Sequence, residues 1–474
     1  MENKEREMSF GWAIIPLIIM ITAMSFTIIV FEGGPHIPLI LGTIVSAFIA
    51  WKCGFSWKEI EGSIYKGIRL ALPAVVIIIM VGIIIGAWIG GGIIATMVYY
   101  GLKLISPSMF LVSFTIITAI VSIAIGSSWS TMGTIGIAGM GIGVSMGIPA
   151  PMVAGAIISG AYFGDKMSPL SDTTNLAAGV VGVDLFDHIK HMFYTTVPGL
   201  IIALIVYFFL GRNFSSNSVV NDDIVSMMNG LQENFVISPW LLFIPLFVIL
   251  LVMKKVPALP ALTVGAILGF LAQIIVQGGS IGDAVNTLDG GFSIESGYEM
   301  IDTLFNRGGI EAMMYTVSLT IVAMTFGGIL ENTGMLKSIV NQIIKLSKSA
   351  KGLVTTAISS AFLTNVVAAE QYISVVVPGR MYVKSFREKK LHPKNLSRAV
   401  EDGGTLTSVF VPWNTCAIFI FATLAVHPFE YAPYAILNFV VPIISIIYAW
   451  TGFSIVKLTD KEVKQLEEEE SKAV

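Results

Sequence analysis

The sequence predicts an all-α polytopic membrane protein built from two inverted-topology repeats, and its composition is the first reason. Of its 474 residues, 55% are hydrophobic and only 12% are charged, and the mean hydropathy is +0.81. Soluble globular chains carry about 25% charged residues, so lipid is the main solvent expected for this chain. The 46 glycines suit the close helix packing and helix breaks of membrane proteins.

Composition and motifs argue against several other classes of function. The chain has no basic arm interleaved with aromatic residues, so its sequence does not indicate nucleic acid as a partner. The two cysteines, Cys53 and Cys416, show no spacing typical of a disulfide framework or of metal ligands. The sequence contains no glycine-rich phosphate-binding loop with a lysine, which argues against an ATP-driven pump. It also contains no nucleophile elbow, which argues against a hydrolase. We therefore expect a protein that is not an enzyme and that needs no cofactor.

Apolar runs long enough to cross a bilayer set the number of spans. Two pairs of shorter apolar segments, 108–148 and 352–379, are each joined by a polar tip and are predicted to form re-entrant hairpins. Two more runs, 150–183 and 398–427, contain a polar break with a proline and are predicted to be broken transmembrane helices. The uninterrupted spans are predicted near residues 12–31, 36–52, 70–90, 192–211, 238–253, 259–277, 312–330 and 432–452.

Lysine and arginine orient these ten crossings. Loops rich in both residues, such as 380–398, alternate with two long loops, 212–235 and 279–310, that carry one arginine each. Because positively charged loops stay in the cytoplasm, the two long loops are predicted to be extracytoplasmic. Both termini are then predicted to be cytoplasmic, with 457–474 as a cytoplasmic tail.

The two halves of the chain resemble each other. A polar or glycine-rich turn follows Trp88 and Leu330, and each turn leads into an amphipathic stretch, a hairpin, a broken helix and a final span. With five crossings in each half, the second copy is inserted upside down relative to the first. We therefore predict two inverted repeats, 1–211 and 236–456, joined by 212–235, which is an arrangement typical of secondary transporters.

The most informative segment of the chain is Gly164–Thr174, with the sequence GDKMSPLSDTT. It places two carboxylates, four hydroxyls and a helix-breaking proline between two apolar runs. An ionised carboxylate at the bilayer centre costs roughly 2.5–3.5 kcal/mol on insertion scales, and irregular backbone at that depth must line a cavity or be buried in protein. A broken membrane helix rich in oxygen ligands therefore predicts a cation site and a transporter.

Four polar breaks pair across the predicted repeat. The first hairpin tip is Gly126–Thr131, and its predicted counterpart is Leu363–Asn365, followed by Glu370. The break at Asp165–Thr174 has its counterpart at Phe410–Thr415. Hydroxyls, amides and backbone carbonyls freed by proline are the ligands that Na+ requires once it loses its water. A carboxylate among them would bind Na+ or a proton in competition, which is sufficient for exchange.

Asp172 is the predicted exchanging carboxylate, because it lies inside the break with no adjacent base. Asp165 is the second candidate, although it could instead form a structural ion pair with its neighbour Lys166. Other carboxylates are open as a gate, as a second carboxylate of the site or as structural groups: Glu370, Glu401 and Asp402.

The run Gly164–Thr173 resembles the signature of the NhaC family of bacterial Na+/H+ antiporters. The resemblance covers the whole chain in length, repeat and motif order, and it implies a protein of the bacterial cell membrane. In the wider superfamily, the hairpins and broken helices move as an elevator against a dimeric scaffold, so the resemblance also implies a homodimer. It further implies that Ser127, Asn365 and the breaks at Pro169 and Pro412 surround the ion.

These observations predict a secondary transporter that exchanges Na+ for H+, with lipid, the two ions and a second copy as its partners. The alternative is a Na+- or H+-coupled carrier of a small organic acid or amino acid, as in malate–lactate antiport; a channel or a membrane scaffold is the third hypothesis. Trp129 and Trp413 would shape the organic pocket of the alternative, or else pack the hairpin tips. The predicted ion or substrate ligands are Ser127, Ser168, Ser171, Thr173, Asn365, Asn414 and Thr415, with Na+ itself at Asp172, Ser168, Ser171, Thr173, Asn414 and Thr415.

Overall fold

The structure is a computed structural model that describes residues 8–31, 33–214, 218–347 and 349–459. Within these ranges the regular structure is helical, apart from two isolated β-bridges, so the predicted all-α class is confirmed. The predicted cytoplasmic tail lies outside the described residues from position 460 onwards.

The helices follow one another with short connections along most of the chain. Before position 215 the described α-helices are α1 (Phe10–Ile29), α2 (His36–Lys52), α3 (Trp57–Gly90), α4 (Ile93–Leu104), α5 (Pro107–Ile125), α6 (Ser128–Thr131), α7 (Ile137–Ser145), α8 (Ala150–Met167), α9 (Asp172–Val181) and α10 (Leu185–Gly211). After position 217 they are α11 (Ser218–Asn234), α12 (Phe243–Met253), α13 (Ala258–Ile275), α14 (Ile281–Gly290), α15 (Glu299–Phe305), α16 (Gly309–Asn332), α17 (Met335–Lys345), α18 (Ala350–Ala368), α19 (Gln371–Glu388), α20 (Pro393–Val400), α21 (Thr415–Leu424), α22 (Pro428–Tyr431) and α23 (Ile436–Thr451).

Several of these helices are long and apolar enough to cross a membrane. Six qualify among the described residues, namely α1, α3, α5, α10, α13 and α16, and nine crossings result if three sharply bent helix pairs count as one each. A polytopic membrane protein is therefore confirmed, whereas ten crossings stay a prediction. One bent pair joins the end of α11 to α12 at 98°. Helix α11 fills most of the predicted connecting segment 212–235, so this segment contains a helix, and its place on the extracytoplasmic side stays a prediction.

The second hairpin bends later than predicted. Helix α18 continues through Thr364 and Asn365 to Ala368, and the chain turns at Ala369, whose φ is 57°. The Thr364 hydroxyl donates to the Ser360 carbonyl one turn earlier at 2.7 Å, so it is accommodated within the helix. The true tip is Ala369 with Glu370, which caps α19.

The helices pack into two groups. The first group, here called the panel, comprises α1–α3, α12–α14 and α16; the second, here called the core bundle, comprises α5–α10 and α18–α23. Helices α4 and α17 follow the panel helices α3 and α16 and pack on α7 and α18, respectively, so each connects the panel to a hairpin of the core bundle.

Within the panel, α3 and α16 cross in close contact at glycines. A Cβ on Gly67 would lie 2.8 Å from Gly328 Cα, and a Cβ on Gly86 would lie 3.3 Å from the Gly309 nitrogen. Gly67 precedes Gly86 along α3, whereas its partner Gly328 follows Gly309 along α16. The two helices therefore run antiparallel. Small residues at such crossings allow membrane helices to approach closely.

Structural landmarks recur at a nearly constant spacing in the two halves. Gly92 and Gly334, the left-handed residues that precede α4 and α17, are 334 − 92 = 242 positions apart. In the core bundle the spacing is 243 positions for residues with the same structural role. These pairs are the left-handed ends of α5 and α18 (Gly126, Ala369), the following N-caps (Ser127, Glu370), the prolines of the breaks (Pro169, Pro412), the N-caps after the breaks (Ser171, Asn414) and the left-handed ends of α9 and α21 (Gly182, Ala425).

Gly67→Ala is expected to destabilise the protein by about 1–3 kcal/mol, because its Cβ would lie 2.2 Å from the Met324 carbonyl oxygen and force α3 away from α16. The matched control is Gly62→Ala on the same helix, where an added Cβ has nothing within 4 Å. Thermal unfolding of the purified protein in detergent measures both. Equal midpoints for the two variants would contradict the close crossing.

Candidate functional site

A cavity of about 670 Å³ lies between the panel and the core bundle. Its panel wall is largely apolar and includes Leu70 and Ile77 of α3 together with residues at the junction of α12 and α13. Its core wall is polar and contains both hairpin tips, Gly126–Ser130 and Glu370–Tyr372, and residues from both helix breaks. The structure therefore brings the tips of both hairpins and some residues of both helix breaks to one cavity.

Asp165 lies in the last turn of α8 and is 6% exposed. Its Oδ2 atom accepts hydrogen bonds from the backbone N–H of Ser128 at 3.1 Å and from the Ser128 hydroxyl at 2.6 Å. Ser128 is the first residue of α6, so the carboxylate complements the positive end of this helical segment. These bonds fasten the first broken helix to the tip of the first hairpin.

Lys166 does not form an ion pair with Asp165. Its ammonium group instead pairs with Asp402, and both side chains are fully buried. The same Asp402 oxygen accepts a hydrogen bond from the Thr195 hydroxyl at 3.4 Å. Because Asp402 lies in the π-helical turn after α20, the pair joins the first broken helix to the second, and Asp402 does not border the cavity.

Glu401, next to this pair, is also fully buried and does not border the cavity. Within the described part of the chain, neither of its carboxylate oxygens has a hydrogen-bond partner. The structure therefore places both members of the predicted gate, Glu401 and Asp402, inside the core bundle rather than at its surface.

Asp172 is the first residue of α9; it is exposed and lines the cavity. The Ser171 hydroxyl caps this helix by accepting from the Thr174 N–H at 3.4 Å, and it lies 3.1 Å from the Thr173 hydroxyl. A carboxylate in the first turn interacts favourably with the helix dipole. Among the carboxylates of the cavity, Asp172 has the most open access, because Asp165 and Glu370 are both buried.

The break between α8 and α9 is held by its own polar groups. The Ser168 hydroxyl donates to the Ile123 carbonyl at 2.8 Å, which ties the break to α5. The Asn175 amide donates to the Pro169 carbonyl at 2.9 Å. These groups are therefore used by the protein itself. Of the predicted ligands in this break, Thr173 borders the cavity and Ser168 and Ser171 do not.

Asn365 and Asn414 are buried beside the second break, outside the lining of the cavity. The Asn414 amide donates to Asn365 Oδ1 at 3.0 Å, and the Asn365 amide donates to the Gly404 carbonyl at 2.6 Å. Asn414 Oδ1 accepts from the Cys416 N–H at 3.0 Å and so caps α21. The two amides thus hold the second hairpin against the second break, and the structure does not bring them to the predicted ion site.

Ser127, Glu370 and Thr415 complete the polar wall of the cavity. Ser127 and Glu370 cap the helices after the two tips, accepting from the N–H groups of Ser130 at 3.2 Å and Ile373 at 3.1 Å, respectively. The Thr415 hydroxyl is buried and has no hydrogen-bond partner in the described part of the protein. Buried polar groups are normally satisfied, so this hydroxyl is available to a bound ligand.

The two tryptophans differ in role. Trp129 lines the cavity, whereas Trp413 does not and donates from its indole nitrogen to the Val366 carbonyl at 2.8 Å. Trp413 therefore packs the second hairpin.

Several residues that line the cavity were not among the predicted ligands, and they include Ser128, Gln371, Tyr372 and Cys416. The spacing of 243 positions could have found Gln371 and Tyr372, because it relates the first tip to the second one. That spacing is visible only once the second tip is placed at Ala369.

Comparison with known proteins finds relatives that match nearly the whole chain. The sequence profile of the Na+/H+ antiporter family matches residues 160–453. The chain is 37% identical to the Na+/H+ antiporter NhaC of Alkalihalophilus pseudofirmus over 96% of its length and 98% of the relative. It is 35% identical to NhaC of Bacillus subtilis over 94% of this chain and 98% of the relative. It is 39% identical to the malate-2H+/Na+-lactate antiporter of Bacillus subtilis over 92% of this chain and 93% of the relative.

Lys166→Met and Asp402→Leu are each expected to cost about 3–5 kcal/mol, because each leaves one buried charge unpaired. The double variant is expected to recover most of the loss, since it removes both charges. Unfolding midpoints in detergent measure all three. As a control, Lys190→Met breaks an exposed pair with Asp187 and should change stability by less than about 1 kcal/mol. A double variant no better than the worse single variant would refute the pairing.

Proposed function

The chain belongs to the Na+/H+ antiporter family, and we propose that it exchanges Na+ for H+ across the bacterial cell membrane. The observation that carries this proposal is the cavity at which three carboxylates, Asp165, Asp172 and Glu370, meet at the ends of interrupted helices. The relatives that are named as Na+/H+ antiporters match nearly the whole chain, so the segments that build the cavity fall within the matched length.

In the proposed mechanism, Asp172 binds either Na+ or a proton. Its exposure to the cavity gives both cations access, and Asp165 supplies a second, fixed carboxylate. The hydroxyls of Ser127, Thr173 and Thr415 serve as neutral ligands. Binding of one cation excludes the other from Asp172. Because an uncompensated carboxylate is costly inside the membrane, the empty carrier does not change state, and Na+ moves only in exchange for a proton.

We propose that the repeats, 1–211 and 236–456, are inverted. Two observations support this arrangement. The first is the constant spacing of landmarks in the core bundle, which includes both helix breaks. The second is the antiparallel crossing of α3 and α16, which precede the equivalent helices α4 and α17. Copies related by a two-fold axis in the membrane plane must place equivalent helices antiparallel.

A second cavity of about 690 Å³ supports alternating access. Tyr315, Thr316 and Leu319 of α16 line it, and they are 242 positions after Pro73, Ala74 and Ile77, which line the first cavity. The panel therefore offers equivalent surfaces to the core bundle at both cavities. Among its described lining residues, the second cavity contains none of the three site carboxylates.

We propose that the core bundle moves along the panel to carry the site between the two cavities, as the family resemblance implies. On this proposal the first cavity faces the cytoplasm, because it is lined by Lys255 in a loop that the charge distribution assigns to that side. Both termini are then cytoplasmic, and the panel is the part of the chain that pairs in a homodimer.

Exchange of organic acids is the second candidate function, and it is the activity for which the malate-2H+/Na+-lactate antiporter is named. The charge of the first cavity favours cations over carboxylates. Three acidic side chains line it, and among its described lining residues only Lys255 is positively charged. We therefore propose Na+/H+ exchange as the main activity.

Asp172→Asn is expected to reduce Na+-driven proton movement to the level of empty liposomes, because an amide cannot exchange a proton for Na+. Purified protein in liposomes with an imposed pH gradient and a trapped pH dye provides the measurement. Asp187→Asn, which removes an exposed acid on α10, is the matched control and should retain full exchange. Full exchange by Asp172→Asn would remove this residue from the mechanism.

The repeat spacing also predicts a contact in the opposite state. In the structure, a Cβ on Gly327 of α16 would lie 2.4 Å from the carbonyl oxygen of Ala368, at the end of α18. The repeat spacings of 242 and 243 positions relate Gly327 to Ile85 and Ala368 to Ile125, respectively. In the state that opens the site to the second cavity, the equivalent contact therefore joins Ile85 to Ile125. These two residues now line different cavities. Ile77 lines the same cavity as Ile125 and precedes Ile85 by eight residues of α3, so bringing Ile125 to Ile85 requires a shift on the order of 12 Å at about 1.5 Å per helical residue.

Cysteines at positions 85 and 125, introduced after Cys53 and Cys416 are replaced by serine, are therefore expected to cross-link and to stop exchange until the bond is reduced. Each single cysteine should leave exchange intact. The control pair at positions 77 and 125, both in the first cavity, should react with a short bifunctional maleimide without any movement. If the pair at 85 and 125 never cross-links across Na+ concentrations and pH values, the proposed movement is wrong.

A further inference from the structure

We infer that Arg307 is the gate residue of the second cavity, which it keeps closed to cations while the site faces the first cavity. The inference rests on the proposed function, because it requires the core bundle to move along the panel. The Arg307 guanidinium lines the second cavity, and its Nη2 atom donates to the Thr423 carbonyl at 2.7 Å. This hydrogen bond joins the panel to the core bundle.

The backbone on both sides of the Arg307 side chain is fixed to the panel. The Arg307 carbonyl accepts from the Phe292 N–H at 3.2 Å, in the segment that follows α14. The next residue, Gly308, has a φ of 92°, and a Cβ added there would lie 2.5 Å from the Gly86 nitrogen of α3. Such a position requires glycine. The guanidinium is therefore held by a fixed part of the panel.

Thr423 lies in the last turn of α21, a helix of the core bundle. This helix ends at Ala425, whose φ is 57°, and the last carbonyls of a helix have no partner within it. A cation at this end satisfies one of these carbonyls and complements the negative end of the helix dipole. The bond from Arg307 therefore combines a hydrogen bond with a favourable charge interaction, and such bonds are stronger than neutral ones.

Helix α21 connects this contact to the ion site. Thr415 and Cys416, at its start, line the first cavity, whereas Phe421 and Ala422, nearer its end, line the second. A regular helix of ten residues moves as one body with the rest of the core bundle. A displacement of the site along the panel therefore carries the end of α21 away from the Arg307 guanidinium, so exchange requires the hydrogen bond between them to break.

Arg307 also sets the charge of the second cavity. Among the described lining residues of this cavity it is the only lysine or arginine, and none is an aspartate or glutamate. Burial lowers the pKa of the guanidinium to about 10, so the group stays protonated at neutral pH. A cation that enters the second cavity in this state meets a positive charge and no carboxylate. The cavity that lacks the site therefore also repels Na+.

The repeat has no second arginine at the equivalent place. At a spacing of 242 positions Arg307 corresponds to Tyr65, and at 243 positions Thr423 corresponds to Val180. A phenol carries no fixed charge, and the Tyr65 hydroxyl donates to the Glu61 carboxylate at 2.9 Å. The opposite state therefore lacks an equivalent charged contact. Arg307 favours the state in which the site faces the first cavity.

Arg307→Gln tests the gate in the full-length protein with cysteines at positions 85 and 125, which report the opposite state. When the cross-linking reagent is limiting, the rate follows the population of that state. We expect Arg307→Gln to raise the rate at least about tenfold, as loss of a hydrogen bond from a charged group implies. Arg307→Lys keeps the charge without the planar fork, so its rate should lie between the two.

Glu295→Gln is the matched control, because it changes an exposed charge in the same segment and should leave the rate unchanged. Thermal unfolding of each variant separates gating from a structural role. Arg307→Gln is expected to keep a cooperative unfolding transition and to cross-link faster while folded. A lower unfolding midpoint with an unchanged cross-linking rate would show that Arg307 only stabilises the fold, and it would overturn the inference.

The outcomes distinguish this inference from the proposed function. Equal cross-linking rates for the parent pair and for Arg307→Gln, with Na+-driven proton movement intact, would overturn the gate and leave Na+/H+ exchange standing. If neither protein ever cross-links, the movement along the panel and the gate are both wrong. Absence of Na+-driven proton movement in the protein without introduced cysteines would refute the proposed function itself.

Discussion

The buried ion pair between Lys166 and Asp402 is the interaction on which the arrangement of the two halves depends. Each charge is fully enclosed, and a buried charge that loses its partner is strongly destabilising. Lys166 lies in the last turn of α8, the first half of the first broken helix, where a cation interacts favourably with the helix dipole, and Asp402 lies in the π-helical turn of the second broken helix. The polar break near Asp165 can therefore exist inside the core bundle only if both halves are in place.

Four helix starts then converge on the first cavity, and they explain why it is acidic. The helices after both hairpin tips and after both breaks begin there, at Ser128, Gln371, Asp172 and Thr415. Each start presents the positive end of the helix dipole, which favours nearby negative charge. Carboxylates accompany three of the four helix starts. Their negative charge is greater than the partial positive charge of the four starts, so the cavity attracts a cation.

The sequence alone was sufficient to predict the break in the first broken helix. A proline and two carboxylates between two apolar runs of a membrane protein have few alternatives to a polar interruption of a spanning helix. It was not sufficient for the second tip, where Thr364 is satisfied within the helix and Ala369 gives no local signal of a left-handed turn. It also could not separate ligands from partners. Asn365 and Asn414 are polar, buried and close to the break, yet amides both donate and accept, so these two are satisfied by one bond between them and by neighbouring protein groups.

The two cavities give the reason to prefer a carrier over a channel. A channel needs one continuous polar path, with favourable sites from one side to the other. Here the panel offers equivalent residues to both cavities, whereas Asp165, Asp172 and Glu370 line the first and, among the described lining residues, are missing from the second. A site that belongs to the core bundle alone can face one cavity at a time. The separation of a site-bearing bundle from a panel with two equivalent surfaces is what obligatory exchange requires.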